Sequence, residues 1–171
     1  MPTHLPLLKG RAFVFGDHID TDKILPVRYI ASLNVDELKE HIMEGLDPTF
    51  RLKVAQGDFI VAGRNFGVGA SREQAAAALR YAGIGAVIAR SFAPAFKRNA
   101  VNVGLVIIQS DKAVDRIKDG ESITIDLDRH IISDQKTGES FSYPALPKEL
   151  EQISRAGGLV EWVKKSRGEG K

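Results

Sequence analysis

Three short apolar runs, at 58–62, 85–89 and 103–108, alternate with two segments of helix-forming composition, and this order constrains the fold more than any other feature of the chain. Apolar, β-branched runs of that length, bounded by glycine, suit buried strands. Gly57 and Gly63 bracket the first run. The segment 71–82 is rich in Ala and Leu, which favours a helix, and Gly83 ends it. Ser91 is placed to cap a second helix reaching about Asn99. Strand, loop, helix, strand, helix, strand is the signature of an α/β domain.

The flanking regions read less regularly. A strand candidate at 11–15 leads into an irregular loop over 16–34. Pro26 opposes a long helix there, and Asp20 or Thr21 caps a short turn. Asn34, with Glu37 three residues on, predicts a capped helix over 35–44 that Gly45 closes. In the last third the pattern predicts helical turns at 111–118 and a strand at 122–127. A hairpin pairs 131–132 with 140–143, a helix follows over 147–155, and 159–163 packs against the rest. The expectation is one domain over 1–171, with 110–171 as accessory elements.

Several function classes drop out on composition. The chain has no cysteine, and His4, His18, His41 and His130 form no spaced ligand cluster, so no metal site is expected. Twenty-four basic and 22 acidic residues leave a net charge of +2, too weak to suggest nucleic acid. No apolar run approaches the roughly 18 residues of a membrane span. The first ten residues lack the pattern of a secretory signal, so the expected location is cytoplasmic. Charge is unevenly spread, however. No acidic residue occurs from Gln74 to Ser110, while Arg80, Arg90, Lys97 and Arg98 do, which favours an acidic ligand nearby.

The segment GRNFGVGASREQAAAAL (63–79) is the best candidate for such a ligand. Gly67 and Gly69 permit positive φ or close approach of a ligand to the backbone. The first N–H groups of the following helix have no intrahelical partner, and the helix dipole adds to their pull on an anion. Ser71 adds a hydroxyl, Arg72 a fork suited to a carboxylate, and Asn65 a further polar group at the same mouth. A plain glycine turn with Ser71 as helix cap is the competing reading. The glycine spacing is neither that of a dinucleotide-binding loop nor that of a P-loop. Asp20-Thr21-Asp22 either orients an arginine, accepts from a substrate hydroxyl or assists proton transfer, or only caps turns, and His18 lies beside it. Arg98 and Asn99 either hold the glycine-rich loop, reach a partner, or complement a helix end.

Taken together, DHIDTDKILP (17–26), GRNFGVGASRE (63–73), AVIARSFAPAFKRN (86–99) and NVG (102–104) resemble, in order and spacing, the swivelling-domain small subunits of the aconitase superfamily, in particular those of 3-isopropylmalate dehydratase. The resemblance covers about the first 110 residues. It implies a swivelling β/β/α domain with a mainly parallel central sheet flanked by helices. It also implies a large catalytic subunit that carries a 4Fe–4S cluster, with no cofactor on this chain, and no activity for this chain alone. Such pairs interconvert 2-isopropylmalate and 3-isopropylmalate by dehydration and rehydration in leucine biosynthesis. Small subunits of homoaconitase, aconitase or dimethylmalate dehydratase, and a non-catalytic binding subunit, are the alternatives. The resemblance also admits a homo-oligomer when the chain is isolated.

By the same resemblance Asp22 is an active-site aspartate, and Ser71 and Arg72 are the second serine and the arginine of a Ser-Ser-Arg motif that binds substrate carboxylate. Asn65, Gly67 and Gly69 complete the binding loop. The first serine, regarded in aconitases as the base, is Ala70 here, so either Ser71 or a partner residue covers that role, or the reaction differs, or this copy is weakly active. Val68 and Gln74 stand where Cys and His are commoner. The specificity loop is Tyr29-Ile30-Ala31-Ser32, without the arginine that suits a third carboxylate. Ile30 and Ala31 fit an apolar wall for an alkyl-substituted malate instead.

Overall fold

The computed structural model describes residues 6–31 and 33–168. In the first half these form β1 (Leu7–Val14), α1 (Thr21–Ile24), α2 (Val27–Ile30), α3 (Val35–Leu38), a 3-10 turn at Lys39–His41, α4 (Phe50–Lys53) and β2 (Phe59–Ala62). Then come α5 (Glu73–Tyr81), β3 (Ala86–Ala89), α6 (Pro94–Val103), β4 (Ile107–Gln109) and α7 (Asp111–Arg116). The chain closes with β5 (Ser122–Asp126), β6 (Ile131–Asp134), β7 (Ser140–Ser142), α8 (Lys148–Arg155) and α9 (Leu159–Ser166). No helix among the described residues is long and apolar enough to cross a membrane.

The strands make one seven-stranded sheet in the order β4-β3-β2-β1-β5-β6-β7. It is mixed, not mainly parallel as expected. The pairings β1·β2, β2·β3 and β3·β4 are parallel, whereas β1·β5, β5·β6 and β6·β7 are antiparallel. The change of direction happens on β1. Its residues 7–11 pair antiparallel with β5, and its residues 12–14 pair parallel with β2. The expected strand at 11–15 covered only the second of these stretches.

The two halves of the sheet obey different burial rules. In β2 and β3 every residue is buried, because apolar layers cover both faces. Ile60, Ala62, Val87 and Ala89 face one core with the helices α5 and α6, while Phe59, Val61, Ala86 and Ile88 face a second core. In β5 only Ile123 and Ile125 are buried, and they join that second core with Ile132 and Phe141. The segment 110–171 therefore supplies three strands to the same sheet and part of its core. A buried carboxylate ties the halves together: Asp58 accepts from the backbone N–H of Arg11 at 2.9 Å and of Ala55 at 2.8 Å.

The region 16–34 is more ordered than expected. Asp20 caps α1 by accepting from Lys23 N at 2.9 Å, and Pro26 separates α1 from α2. Asn34 caps as predicted, accepting from Glu37 N at 3.0 Å. The helix expected over 35–44 nevertheless stops early: Ile42 is extended, Met43 has φ 58°, and its N–H donates to Ile24 O at 2.7 Å. Burying Ile42 and Met43 against α1 outweighs continuation of the helix.

Candidate functional site

The glycine-rich loop leaves the C-terminal end of β2, where ligands of parallel α/β sheets bind. Its entry is held by the loop after β1. Asp17 Oδ1 accepts from Arg64 N at 2.8 Å and sits where a Cβ on Gly63 would lie, so a side chain there would displace Asp17 from this bond. His18 N donates to Arg64 O at 2.7 Å, and Asn65 Nδ2 meets His18 Nδ1 at 3.1 Å. His18 and Asn65 both adopt positive φ, 54° and 56°. The polar end of Asn65 is thus engaged with His18 at the rim.

The middle of the loop is clamped from both sides. Gly67 N donates to Ile19 O at 2.8 Å, and Thr21 N to Val68 O at 2.9 Å, as a parallel bridge joins Asp20 to Val68. On the other side Phe66 bridges to Phe92. Phe66, Phe92 and Phe96 pack beneath, with the Phe66 and Phe96 rings edge-to-face at 5.1 Å. Gly67 has φ 84°, and a Cβ on it would overlap the Phe96 side chain. The side chain of Ser91 belongs to this clamp. Its Oγ accepts from Asn65 N at 2.9 Å, and α6 begins only after Ala93 with no side-chain cap. The expectation that Ser91 caps this helix is therefore corrected.

The exit of the loop carries the charged group. Helix α5 starts at Glu73, two residues later than the sequence suggested, and its N-cap is Arg72 in extended backbone with no side-chain cap bond. Ser71 is therefore not a capping serine. Its exposed hydroxyl accepts from Asn99 Nδ2 of α6 at 3.4 Å. The backbone N–H groups of Ser71, Arg72, Glu73 and Gln74 find no backbone acceptor among the described residues. They are the free donors from which an anion site is built. Arg72 is half-buried, and its Nη1 donates to Thr21 Oγ1 at 3.2 Å. Thr21, 3% exposed, donates the same hydroxyl to Ala70 O at 3.0 Å. Ala70 itself is exposed.

Asp22 lies on α1, next in sequence to Thr21, and is exposed. Its Oδ1 accepts from Val27 N at the head of α2 at 2.8 Å. No hydrogen bond joins it to Ser71 or Arg72 among the described residues. Helix α2 carries Tyr29 and Ile30, both packed against the core, and ends on the exposed Ala31. Ser32 lies outside the described residues. Tyr29 stacks on His41 at 3.7 Å and donates to Glu44 Oε1 at 3.3 Å. Arg28 lies over the Tyr29 ring, and its Nη2 is 3.5 Å from Glu44 Oε2. The pKa of Arg28 is raised, first by its hydrogen bond to the Tyr29 hydroxyl and then by nearby charges, including Glu44 and Asp22. Of the cations in the stretch without acids, Arg90 is bound by Asp115 of α7 and Asp111 lies 3.8 Å away, so its charge is directed to that helix.

The structure thus brings Thr21, Ala70 and Arg72 together and pairs Ser71 with Asn99. Asp22 is directed toward α2. Asp17 and Ser91 act on the loop in ways the sequence did not signal, because their partners are backbone N–H groups distant in the chain.

Residues 18–113 match the Aconitase C-terminal domain family. The chain is similar to the 3-isopropylmalate dehydratase small subunit of Heliobacterium modesticaldum, 46% identical over 162 residues that cover 95% of this chain and 98% of that protein. It is also similar to 3-isopropylmalate dehydratase small subunit 1 of Methanopyrus kandleri, 47% identical over 159 residues, 93% of this chain and 94% of the other. Among solved structures, 3-isopropylmalate dehydratase from Methanocaldococcus jannaschii superposes with a TM-score of 0.90 at 46% identity, covering 94% of this chain and 95% of that one.

Proposed function

Since the chain belongs to the aconitase superfamily, in the family of 3-isopropylmalate dehydratase small subunits, we propose that its loop at 65–72 is half of an interface active site interconverting 2-isopropylmalate and 3-isopropylmalate. The chain is the small subunit of a hydro-lyase and works with a large catalytic subunit. The observation that carries the assignment of the site is the convergence of an uncapped helix start, a half-buried arginine and an exposed serine hydroxyl on one loop.

In this reading Arg72 and the free N–H groups of 71–74 hold a substrate carboxylate, through charge-assisted hydrogen bonds that a fork can make in pairs. Ser71 Oγ moves the proton at the carbon next to the hydroxyl-bearing one. The hydrogen bond donated by Asn99 stabilises Oγ when it carries negative charge, which is the requirement for a serine to act as base. Ala70 has no proton to exchange, so the role falls to Ser71. Asp22 sets the head of α2, and through it the place of Ile30 and Ala31, which form the alkyl side of the pocket.

These residues do not fit an iron–sulfur cluster. The chain has no cysteine, and no group of three or more His, Asp or Glu among the described residues is arranged to hold a metal ion. The 4Fe–4S cluster of such enzymes belongs, in this reading, to the large subunit, and the complex is placed in the cytoplasm. Co-purification with a cluster-bearing large subunit, followed by an assay of alkylmalate isomerisation, tests the proposal. Isomerisation by the pair and by neither chain alone is expected. An inactive pair overturns it.

A further inference from the structure

We propose that Thr21 is a positioning residue for Arg72: its buried hydroxyl fixes the guanidinium with a neutral acceptor and so presents it, undiminished in charge, to the substrate carboxylate. The inference rests on the assignment of Arg72 as the carboxylate ligand.

Three facts carry it. The Thr21 side chain is 3% exposed, so its hydroxyl has no bulk water to bond and must be satisfied within the protein. A hydroxyl has one proton, and Thr21 donates it to Ala70 O at 3.0 Å. One of its two lone pairs is met by Arg72 Nη1 at 3.2 Å. The direction of both hydrogen bonds is thereby forced, because a carbonyl only accepts and a guanidinium only donates.

The chemistry of that choice matters. An arginine side chain has several free torsions and loses entropy when a ligand orders it. Anchoring one Nη beforehand removes part of that loss and leaves the other Nη and Nε for a carboxylate. A carboxylate anchor would hold the guanidinium more strongly, but it would also cancel the charge needed by the ligand. A threonine hydroxyl avoids this. Thr21 is also fixed by its own N–H bond to Val68 O at 2.9 Å, so its position is set by the same loop that supplies Ser71. The Thr21 hydroxyl therefore locks the loop carbonyl before Ser71 and the side chain after it into one register.

The test uses Thr21→Val, which keeps the shape and removes the hydroxyl, and Thr21→Ser, which keeps the hydroxyl. In the complex with the large subunit, KM for the alkylmalate is expected to rise about tenfold in Thr21→Val, as one hydrogen bond's worth of ordering is lost, with a smaller change in kcat. Thr21→Ser stays within about twofold of the parent. A purely structural role gives the opposite split: a lower Tm in both variants with an unchanged KM, and that result overturns the proposal. A second readout is independent of activity. In the isolated chain, the side-chain nitrogen resonances of Arg72, assigned by their loss in Arg72→Lys, are expected to show restricted guanidinium rotation in the parent and fast rotation in Thr21→Val. Equal rotation in both overturns the inference whatever the enzyme assay shows. An inactive parent complex with restricted rotation in the parent alone condemns the substrate assignment and leaves the positioning of Arg72 supported.

Discussion

Asn99 of α6 donates its side-chain amide to the hydroxyl of Ser71 at 3.4 Å, linking the loop before α5 to the neighbouring helix. In the proposed mechanism this contact supports Ser71 as the base, since the neighbouring Ala70 has no hydroxyl. Replacing Ser71 with Ala is expected to lower kcat by roughly 10²- to 10⁴-fold, the range for loss of a general acid–base group. Asn99→Ala is expected to lower it by about tenfold, the worth of one hydrogen bond. Ala70→Ser is expected to stay near the parent. Steady-state kinetics of the reconstituted complex check all three.

Ala31 ends α2 as an exposed, uncharged residue, and in the proposed reading it lies on the alkyl side of the pocket. An isopropyl group placed in an apolar pocket is worth about 2 kcal/mol by buried area, and an unpaired carboxylate in the same place costs more. The complex is therefore expected to favour isopropylmalate over its carboxyalkyl analogues by at least about 30-fold in kcat/KM. Ala31→Arg is expected to reduce that ratio by about tenfold or more. A clear preference of the parent complex for tricarboxylates contradicts the reading.

Gly67 combines φ 84° with a position in which a Cβ overlaps Phe96. Gly67→Ala is therefore expected to cost about 3 kcal/mol, from left-handed backbone strain and overpacking together. That corresponds to a fall in Tm of roughly 6–12 °C for a domain of this size, measured by thermal unfolding of the isolated chain. Gly138→Ala makes the comparison, since it shares a positive φ of 76° but meets nothing within 4 Å. It is expected to lose less than half as much.

Away from the site, the Asp47 carboxylate is held at about 2, below its ordinary 3.8, first by the hydrogen bond from Lys53 and then by two from Thr49. Because the folded value is the lower one, this group stabilises the fold above pH 4 and loses that contribution as pH falls from about 4 to about 2. Asp47→Asn is expected to flatten this part of the acid-unfolding curve, with Tm measured at pH steps across the window. An unchanged slope contradicts the assignment.

Much of this was legible in the sequence, and the exceptions have physical causes. The strands at 59–62 and 86–89 are buried on both faces, so their unbroken apolar runs announce them. The hairpin of β6 and β7 follows from its turn. That these strands continue the central sheet is hidden because β1 serves two partners of opposite direction, and no periodicity within one strand records which neighbour it has. The helix capped by Asn34 ends sooner than its local pattern predicts because the burial of Met43 against α1 is a long-range gain. At the site, Ser71 and Ser91 both resembled capping residues, since a serine before a helix is a cap by local statistics. Here the competing partners, Asn99 and the backbone of Asn65, come from other elements.

The most direct test of the central claim concerns Arg72. With the large subunit present, kcat/KM for 2-isopropylmalate is measured for the parent chain and for Arg72→Ala. Removing a charge that binds a desolvated carboxylate is expected to lower kcat/KM by roughly 30-fold to several thousandfold, with the fold intact by circular dichroism. Equal values for the two chains contradict the assignment of the loop at 65–72 as the carboxylate-binding half of the active site.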